Sequence, residues 1–165
     1  MPEKKWFFDT VVLSNFLLVD ADHILEKRYR GKGFITRAVY DEIISGTAAI
    51  PKLVAVEKLL AKKVFKIHSL SAGEHKLFLE LVGHLGRGEA SSIAAAKIKS
   101  AIVVTDDRAA RKQCLQMKIP VTGTIGILKA SFQSGRISLS EADTVLEQMT
   151  AGGFYSPVNS ISSIV

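Results

Sequence analysis

The sequence predicts an α/β fold built on a parallel sheet, and three observations carry that prediction. Ala101-Ile102-Val103-Val104 is a run of four apolar residues, three of them β-branched, and reads as a short strand buried on both faces. It stops at Asp106 and Asp107, after which Ala110, Cys114 and Met117 follow helical spacing. The same order (apolar strand, acid, helix) occurs at the N-terminus: Lys5-Trp6-Phe7-Phe8, then Asp9-Thr10, then Val11 to Val19 with Leu13, Phe16 and Leu17 on one side. Finally, a helix of small residues opening at Gly88 runs straight into the Ala101 strand, so a strand–helix–strand crossover is the natural topology. Acids at the C-terminal tips of such strands stand where open α/β sheets bind ligands. Each also has a second reading as a helix cap that accepts a backbone N–H.

Between these landmarks the chain alternates short strands and helices. Gly33 to Thr36 reads as a strand, and Thr36 as the N-cap of a helix with Ala38, Val39 and Ile43 on one face. Glu42 sits beside that face, a position equally suited to a surface residue, and Gly46 is expected just past the helix end. Pro51 opens a helical segment carrying Leu53, Val56, Leu59 and Leu60. Val64 to Ile67 reads as a strand near a sheet edge, given Lys66. Ser71 and Glu74 have capping-box spacing ahead of Leu77, Phe78 and Leu81. In the small-residue helix from Gly88 to Ile98, Glu89 falls in the first turn, where the helix dipole favours an acid. Lys118 to Thr122 is a further strand, and Gly123 to Gly126 turns into a helix bearing Ile127, Leu128 and Phe132. Thr122 and Thr124 are read there as caps, ahead of the alternative that they point hydroxyls into the sheet edge. Ser140 with Asp143 is expected to start the last long helix, ended by Gly152-Gly153.

One domain over residues 1–165 is expected at this length, with 154–165 a C-terminal tail holding Pro157 and four serines. A 47% hydrophobic content argues against long disordered segments. No apolar run reaches the ~18 residues that cross a bilayer, and Met1 to Lys5 does not resemble a signal peptide. The single Cys114 leaves no internal disulfide and fits a reducing cytoplasm, and its spacing from Ala110 suits a core thiol. His23, His68, His75 and His84 lack zinc-ligand spacing. No GxxxxGK[ST] or GxGxxG phosphate loop is present. The net charge of +6 favours a polyanionic partner, with local groups at Lys27, Arg28, Arg30 and Lys32 and at Lys62, Lys63 and Lys66. Ordinary solvated faces are the other reading of both groups.

Acids thus recur at four places a sheet edge would gather: Asp9, Glu42, Glu89 and Asp106-Asp107. Two unit charges 4 Å apart repel by roughly 4 kcal/mol at an effective dielectric of 20, so such a cluster requires protons or cations. Hard divalent ions, Mg²⁺ or Mn²⁺, suit carboxylate oxygens, and ions so held promote attack of water on a phosphodiester. An acidic pit on a basic surface is what a nuclease requires. A strand-tip aspartate also serves aspartyl phosphatases and receiver domains. The former want a second Asp where Val11 stands, and the latter want their acid pair after the first strand.

Phe8-Asp9-Thr10-Val11-Val12-Leu13-Ser14-Asn15-Phe16, Ala38-Val39-Tyr40-Asp41-Glu42-Ile43, Gly88-Glu89-Ala90, Thr105-Asp106-Asp107-Arg108-Ala109-Ala110-Arg111 and Thr122-Gly123-Thr124-Ile125-Gly126-Ile127-Leu128 together resemble the PIN-domain family. The match is nearest to its prokaryotic VapC-like branch with GEA and DDRxAR patterns. The resemblance covers essentially the whole chain in order. It implies a three-layer α/β/α sandwich around a parallel sheet and an Mg²⁺- or Mn²⁺-dependent endoribonuclease centre. It also implies RNA as substrate, a homodimer, and an antitoxin protein as partner if the chain is a toxin. Carried over by position, it makes Asp9, Glu42, Glu89 and Asp107 catalytic, with Asp9, Glu89, Asp107 and Asp106 as metal ligands. Asp106 stands where relatives often have an uncharged polar residue, and Glu89 where many have Asp. Thr10, Arg108 and Arg111 are candidate substrate contacts. The alternative within the same fold is a catalytically inactive PIN-like module that binds RNA or protein.

Overall fold

The computed structural model describes residues 3–165. Five strands, β1 (Trp6–Phe8), β2 (Gly33–Thr36), β3 (Phe65–His68), β4 (Ile102–Val104) and β5 (Val121–Thr122), form one sheet in the order β3-β2-β1-β4-β5. Every neighbouring pair is parallel, with Trp6 opposite both Gly33 and Ile102, and Phe8 opposite Val104. From central β1 the chain builds outward through β2 and β3, then crosses to the other side for β4 and β5. The order therefore reverses between β1 and β4, the point where open parallel sheets present their ligand crevice.

The period-two alternation of strand side chains divides the core into two layers. Phe8 and Val104 face one layer with α1 (Thr10–Leu18), α2 (Asp22–Tyr29), α3 (Arg37–Gly46), α4 (Ala55–Ala61), α8 (Thr124–Gln133) and α9 (Leu139–Ala151). Phe7 and Val103 face the other with α5 (Ala72–Leu81), α6 (Arg87–Lys99) and α7 (Arg108–Gln116). The result is a three-layer α/β/α sandwich. Phe8 is fully buried and meets Phe65 edge-on with ring centroids 4.8 Å apart. Truncating so central a side chain, Phe8→Ala, costs about 3–5 kcal/mol.

α6 packs closely because its buried positions are small: Ala90, Ser91, Ser92, Ala94, Ala95 and Ala96. Ahead of α5, Ser71 and Glu74 form the full capping box. α4 follows a 3₁₀ turn, Pro51–Val54, and β3 lies at the sheet edge.

Several local expectations are corrected. No element was expected between Val19 and Gly33, where the chain forms α2, which carries Lys27 and Arg28. Arg30 and Lys62 both pair with Glu26, which neutralises part of the two basic groups on the surface. Gly46 is the last residue of α3 and Thr47 its C-cap. β5 is only two residues long, because Lys118 has φ +59° and Pro120 has no N–H for a ladder. The last helix starts earlier than Ser140: Ser138 is the N-cap and accepts the Glu141 amide at 3.0 Å. Asp143 instead fastens the tail, accepting the amides of Ile161 at 2.7 Å and Ser162 at 3.0 Å and the Ser162 hydroxyl. Ile161 is buried in the core, so the tail is docked. Among the described residues no helix is long and apolar enough to cross a membrane.

Candidate active site

Asp9 leaves the C-terminal tip of β1 in extended conformation and caps α1, its Oδ1 accepting the Val12 amide at 2.8 Å. Its Oδ2 accepts the hydroxyl of Thr105, which leaves the tip of β4. Thr105 Oγ1 in turn accepts the Asp107 amide at 3.1 Å. From there the two consecutive acids diverge. Asp107 is exposed and caps α7, with Oδ2 accepting the Ala110 amide at 2.8 Å. Asp106 is half-buried and accepts from Thr124 twice, from the amide at 3.0 Å and from the hydroxyl at 2.6 Å.

Thr124 therefore does not cap α8. Gly123 is the N-cap, and the Thr124 hydroxyl, which also accepts Asn15 Nδ2 at 3.1 Å, points into the sheet edge. The local pattern hid this because the deciding partner, Asp106, is 18 residues away. Gly123 is required by close approach: a Cβ there would run into the Asp106 carboxylate and sit 3.1 Å from the Thr105 carbonyl oxygen.

Glu42 joins the starts of two helices, its Oε2 accepting the Thr10 hydroxyl and its Oε1 the Gly88 amide at 3.1 Å. A Cβ on Gly88 would lie 2.9 and 3.1 Å from those carboxylate oxygens, so glycine makes room for the glutamate. Glu89, half-buried in the first turn of α6, folds its carboxylate back over Gly86.

Asp9 is only 1% exposed, and burial pushes its carboxyl up from 3.8 to about 7. The donors on Thr105 and Val12 oppose that rise, while the nearby charges of Asp106 and Glu89 add to it. Asp9, Asp106 and Glu89 thus share one electrostatic neighbourhood, and Glu42 reaches it through Thr10. Glu89, Asp106, Asp107 and Arg108 border a single cleft of about 390 Å³ beside it. Arg111 donates Nη1 to the Thr105 carbonyl at 2.8 Å and lines an adjoining cleft with Asp106.

A family model of PIN domains, DUF3368, matches residues 5–165. The chain belongs to the PIN-domain family. A search of curated proteins finds no match. Among solved structures, the chain is similar to the crystal structure of PAE2754 from Pyrobaculum aerophilum, with a TM-score of 0.51 and 16% identity. That alignment covers 73% of this chain and 91% of the other, and it shows a shared fold. PIN domains are usually nucleases, and PIN nucleases generally use divalent metals.

In this PIN domain, no three His, Cys, Asp or Glu side chains among the described residues converge closely enough to hold a metal ion. Four of the acids are instead held by protein donors: Asp9 by Thr105 and Val12, Asp106 by Thr124, Glu42 by Thr10 and Gly88, and Asp107 by Ala110. The donor chemistry nevertheless fits a hard divalent cation. It is all oxygen, and its buried carboxyl is pushed up by burial and by two neighbouring charges that a cation would offset.

Sequence reasoning missed five residues, three at this edge and two at a neighbouring cleft. Thr105 is fully buried and joins Asp9 to Asp107, and its signal was a hydroxyl placed between a buried strand and an acid pair. Phe154 and Tyr155 of the tail line both clefts that border Asp106, and their one signal was an adjacent aromatic pair in a tail with no other aromatic residue. Arg37 and Arg87, each the first residue of its helix, border another cleft of about 330 Å³ together with His75. Cys114 is buried, and burial raises its thiol to about 11, which suits a core residue and not a nucleophile.

Proposed function

We propose that this PIN domain is an Mg²⁺- or Mn²⁺-dependent endoribonuclease of the VapC-like kind, acting on RNA as the toxin of a toxin–antitoxin pair. The observation that carries the reading is Asp9. It is a buried carboxyl at the tip of the central strand, raised to about 7, with Asp106 and Glu89 adding to the rise beside an open cleft. A fold retains such a group at a cost in stability, which function explains better than packing does.

The residues that would hold the ion are Asp9, Glu89 and Asp106, whose side chains would have to draw closer together than they stand here, with Asp107 on the exposed side of the cleft. When bound, a divalent ion supplies an activated water and neutralises charge that develops on the phosphodiester. The chain's own groups do the rest. Glu42 holds Thr10 and the start of α6 in place, Thr105 orients Asp9, and Arg108 and Arg111 attract the RNA backbone. The homodimer is supported by Leu18 and Val54, exposed apolar side chains on α1 and on the 3₁₀ turn that packs against it. The cytoplasm, where RNA and a lone unpaired cysteine are both at home, is the proposed location.

The test is cleavage of single-stranded RNA by the purified chain. Activity is expected with Mg²⁺ or Mn²⁺, and its loss is expected with chelator and in Asp9→Asn with the fold intact. Full activity in Asp9→Asn would refute the assignment.

One observation favours a second reading, a PIN-like module that binds RNA or protein without cutting. Asp9, Glu42, Asp106 and Asp107 are satisfied by protein donors, and no three of the acids converge at ligand distance among the described residues. A calorimetric titration with Mn²⁺ separates the two, since the binding module alone predicts no metal-dependent heat that Asp9→Asn abolishes.

A further inference from the structure

Two clefts meet at Asp106, and they share one pair of tail residues in their walls. On one side lies the cleft of about 390 Å³ bordered by Val11, Glu89 and Arg108. On the other lies a cleft of about 310 Å³ bordered by Arg111, Ile125 and Pro157. Asp106, Phe154 and Tyr155 line both. Each side therefore offers an apolar wall, one guanidinium and the shared carboxylate edge.

Tyr155 is 93% exposed, so packing within the chain does not account for it. Its backbone is nonetheless held in place. The Phe154 amide donates to the Met149 carbonyl at 3.0 Å, the Ser156 hydroxyl to the Val158 carbonyl at 2.6 Å, and Ile161 is buried beyond them. An exposed ring on a fastened backbone loses little freedom when a flat partner stacks on it. Nucleobases are such partners, and every base has a face to offer.

We propose that Tyr155 is a stacking residue for single-stranded RNA, a wedge that parts the two nucleotides flanking the cleaved phosphodiester and seats one base in each cleft. The inference rests on the ribonuclease reading for its substrate, and it adds the residue that separates the bases. Paired RNA keeps its bases stacked inside the helix and out of reach of the ring, so a duplex of the same sequence is excluded.

The test uses the full chain carrying Tyr155→Trp together with Asp9→Asn, titrated with a single-stranded oligoribonucleotide. Asp9→Asn alone, whose one tryptophan is Trp6, supplies the background signal. Quenching of the added fluorescence by single strands and not by duplex is expected. In the otherwise native chain, Tyr155→Ala is expected to weaken binding and raise KM roughly 5- to 100-fold with an unchanged melting temperature. Tyr155→Phe is expected to rescue both. Absence of quenching, or a wild-type KM in Tyr155→Ala, would overturn the proposal, as would a Phe variant as weak as Ala, which would assign the role to the hydroxyl. If single strands quench the Tyr155→Trp fluorescence while the native chain never cleaves them, the nuclease reading fails and the stacking role stands.

Discussion

Thr105 donates its hydroxyl proton to Asp9 across 96 positions of sequence, tying the tip of β4 to the tip of β1. The same oxygen accepts the Asp107 amide, so one side chain positions the buried acid and the start of α7. Thr105→Val keeps the shape and removes the hydroxyl. Asp9 then loses a donor that holds its carboxyl down, and its pKa rises further above about 7. If cleavage needs Asp9 ionised, the acidic limb of the rate profile moves to higher pH. Leaving buried polar groups without a partner costs about 1–3 kcal/mol of stability. A pH–rate profile and a urea melt check both effects, and an unmoved acidic limb would remove Thr105 from the site.

Asp9 also gives stability an unusual pH dependence. Its folded pKa of about 7 lies above the unfolded value of 3.8. Between those limits the folded chain holds a proton that the unfolded chain has released. The contribution is therefore fully present below pH about 4 and is lost as pH rises through about 7. A rise of about three pKa units corresponds to roughly 4 kcal/mol. The metal-free protein is expected to lose melting temperature over that window relative to Asp9→Asn, whose curve should be flatter. Mg²⁺ or Mn²⁺ should restore stability most above pH 7, where the carboxylate is ionised. Parallel curves for the two proteins would show that Asp9 titrates normally.

Much of the scaffold was legible because its signals are local. Phe7-Phe8 and Val103-Val104 carry the two-layer alternation in adjacent letters, and Ser71 with Glu74 spells out a cap within one turn. The site was less legible because its decisions are made across the sheet. Asp106 and Asp107 are indistinguishable by spacing, yet the extended backbone leaving β4 turns one toward Thr124 and leaves the other as an exposed cap. Thr124 looks like a cap until Asp106 is placed beside it. Asp143 looks like part of a helix start until the tail returns to it. Tyr155 is marked in the sequence only as half of an aromatic pair, and the fastened tail alone brings it to the cleft.

Gly88→Ala tests whether Glu42 matters through its position. The added Cβ would lie 2.9 and 3.1 Å from the Glu42 carboxylate oxygens and force that flexible tip away from the Gly88 amide and Thr10. The helix itself accepts alanine at a gain of up to about 1 kcal/mol. Activity should fall to the level of Glu42→Ala while the melting temperature stays within a few degrees. Full activity in Gly88→Ala would show that the contact between α3 and α6 is incidental.

Arg108 and Arg111 separate charge from scaffold. Arg108 is exposed on the rim of the acid cleft, and the described structure gives it no hydrogen-bond partner. Arg111 spends one N–H on the Thr105 carbonyl at 2.8 Å, at the tip of β4. If both guanidiniums meet RNA phosphates, each alanine variant should weaken binding to all single-stranded sequences alike. Each should also reduce the slope of log affinity against log salt by about 0.7. Only Arg111→Ala should lower stability as well, by about 0.5–1.5 kcal/mol for the lost hydrogen bond. Binding isotherms at three salt concentrations and a thermal melt of each variant distinguish the two roles. An unchanged salt slope in Arg108→Ala would place the RNA backbone elsewhere, and the cleft bordered by Arg37 and Arg87 would be the next surface to probe.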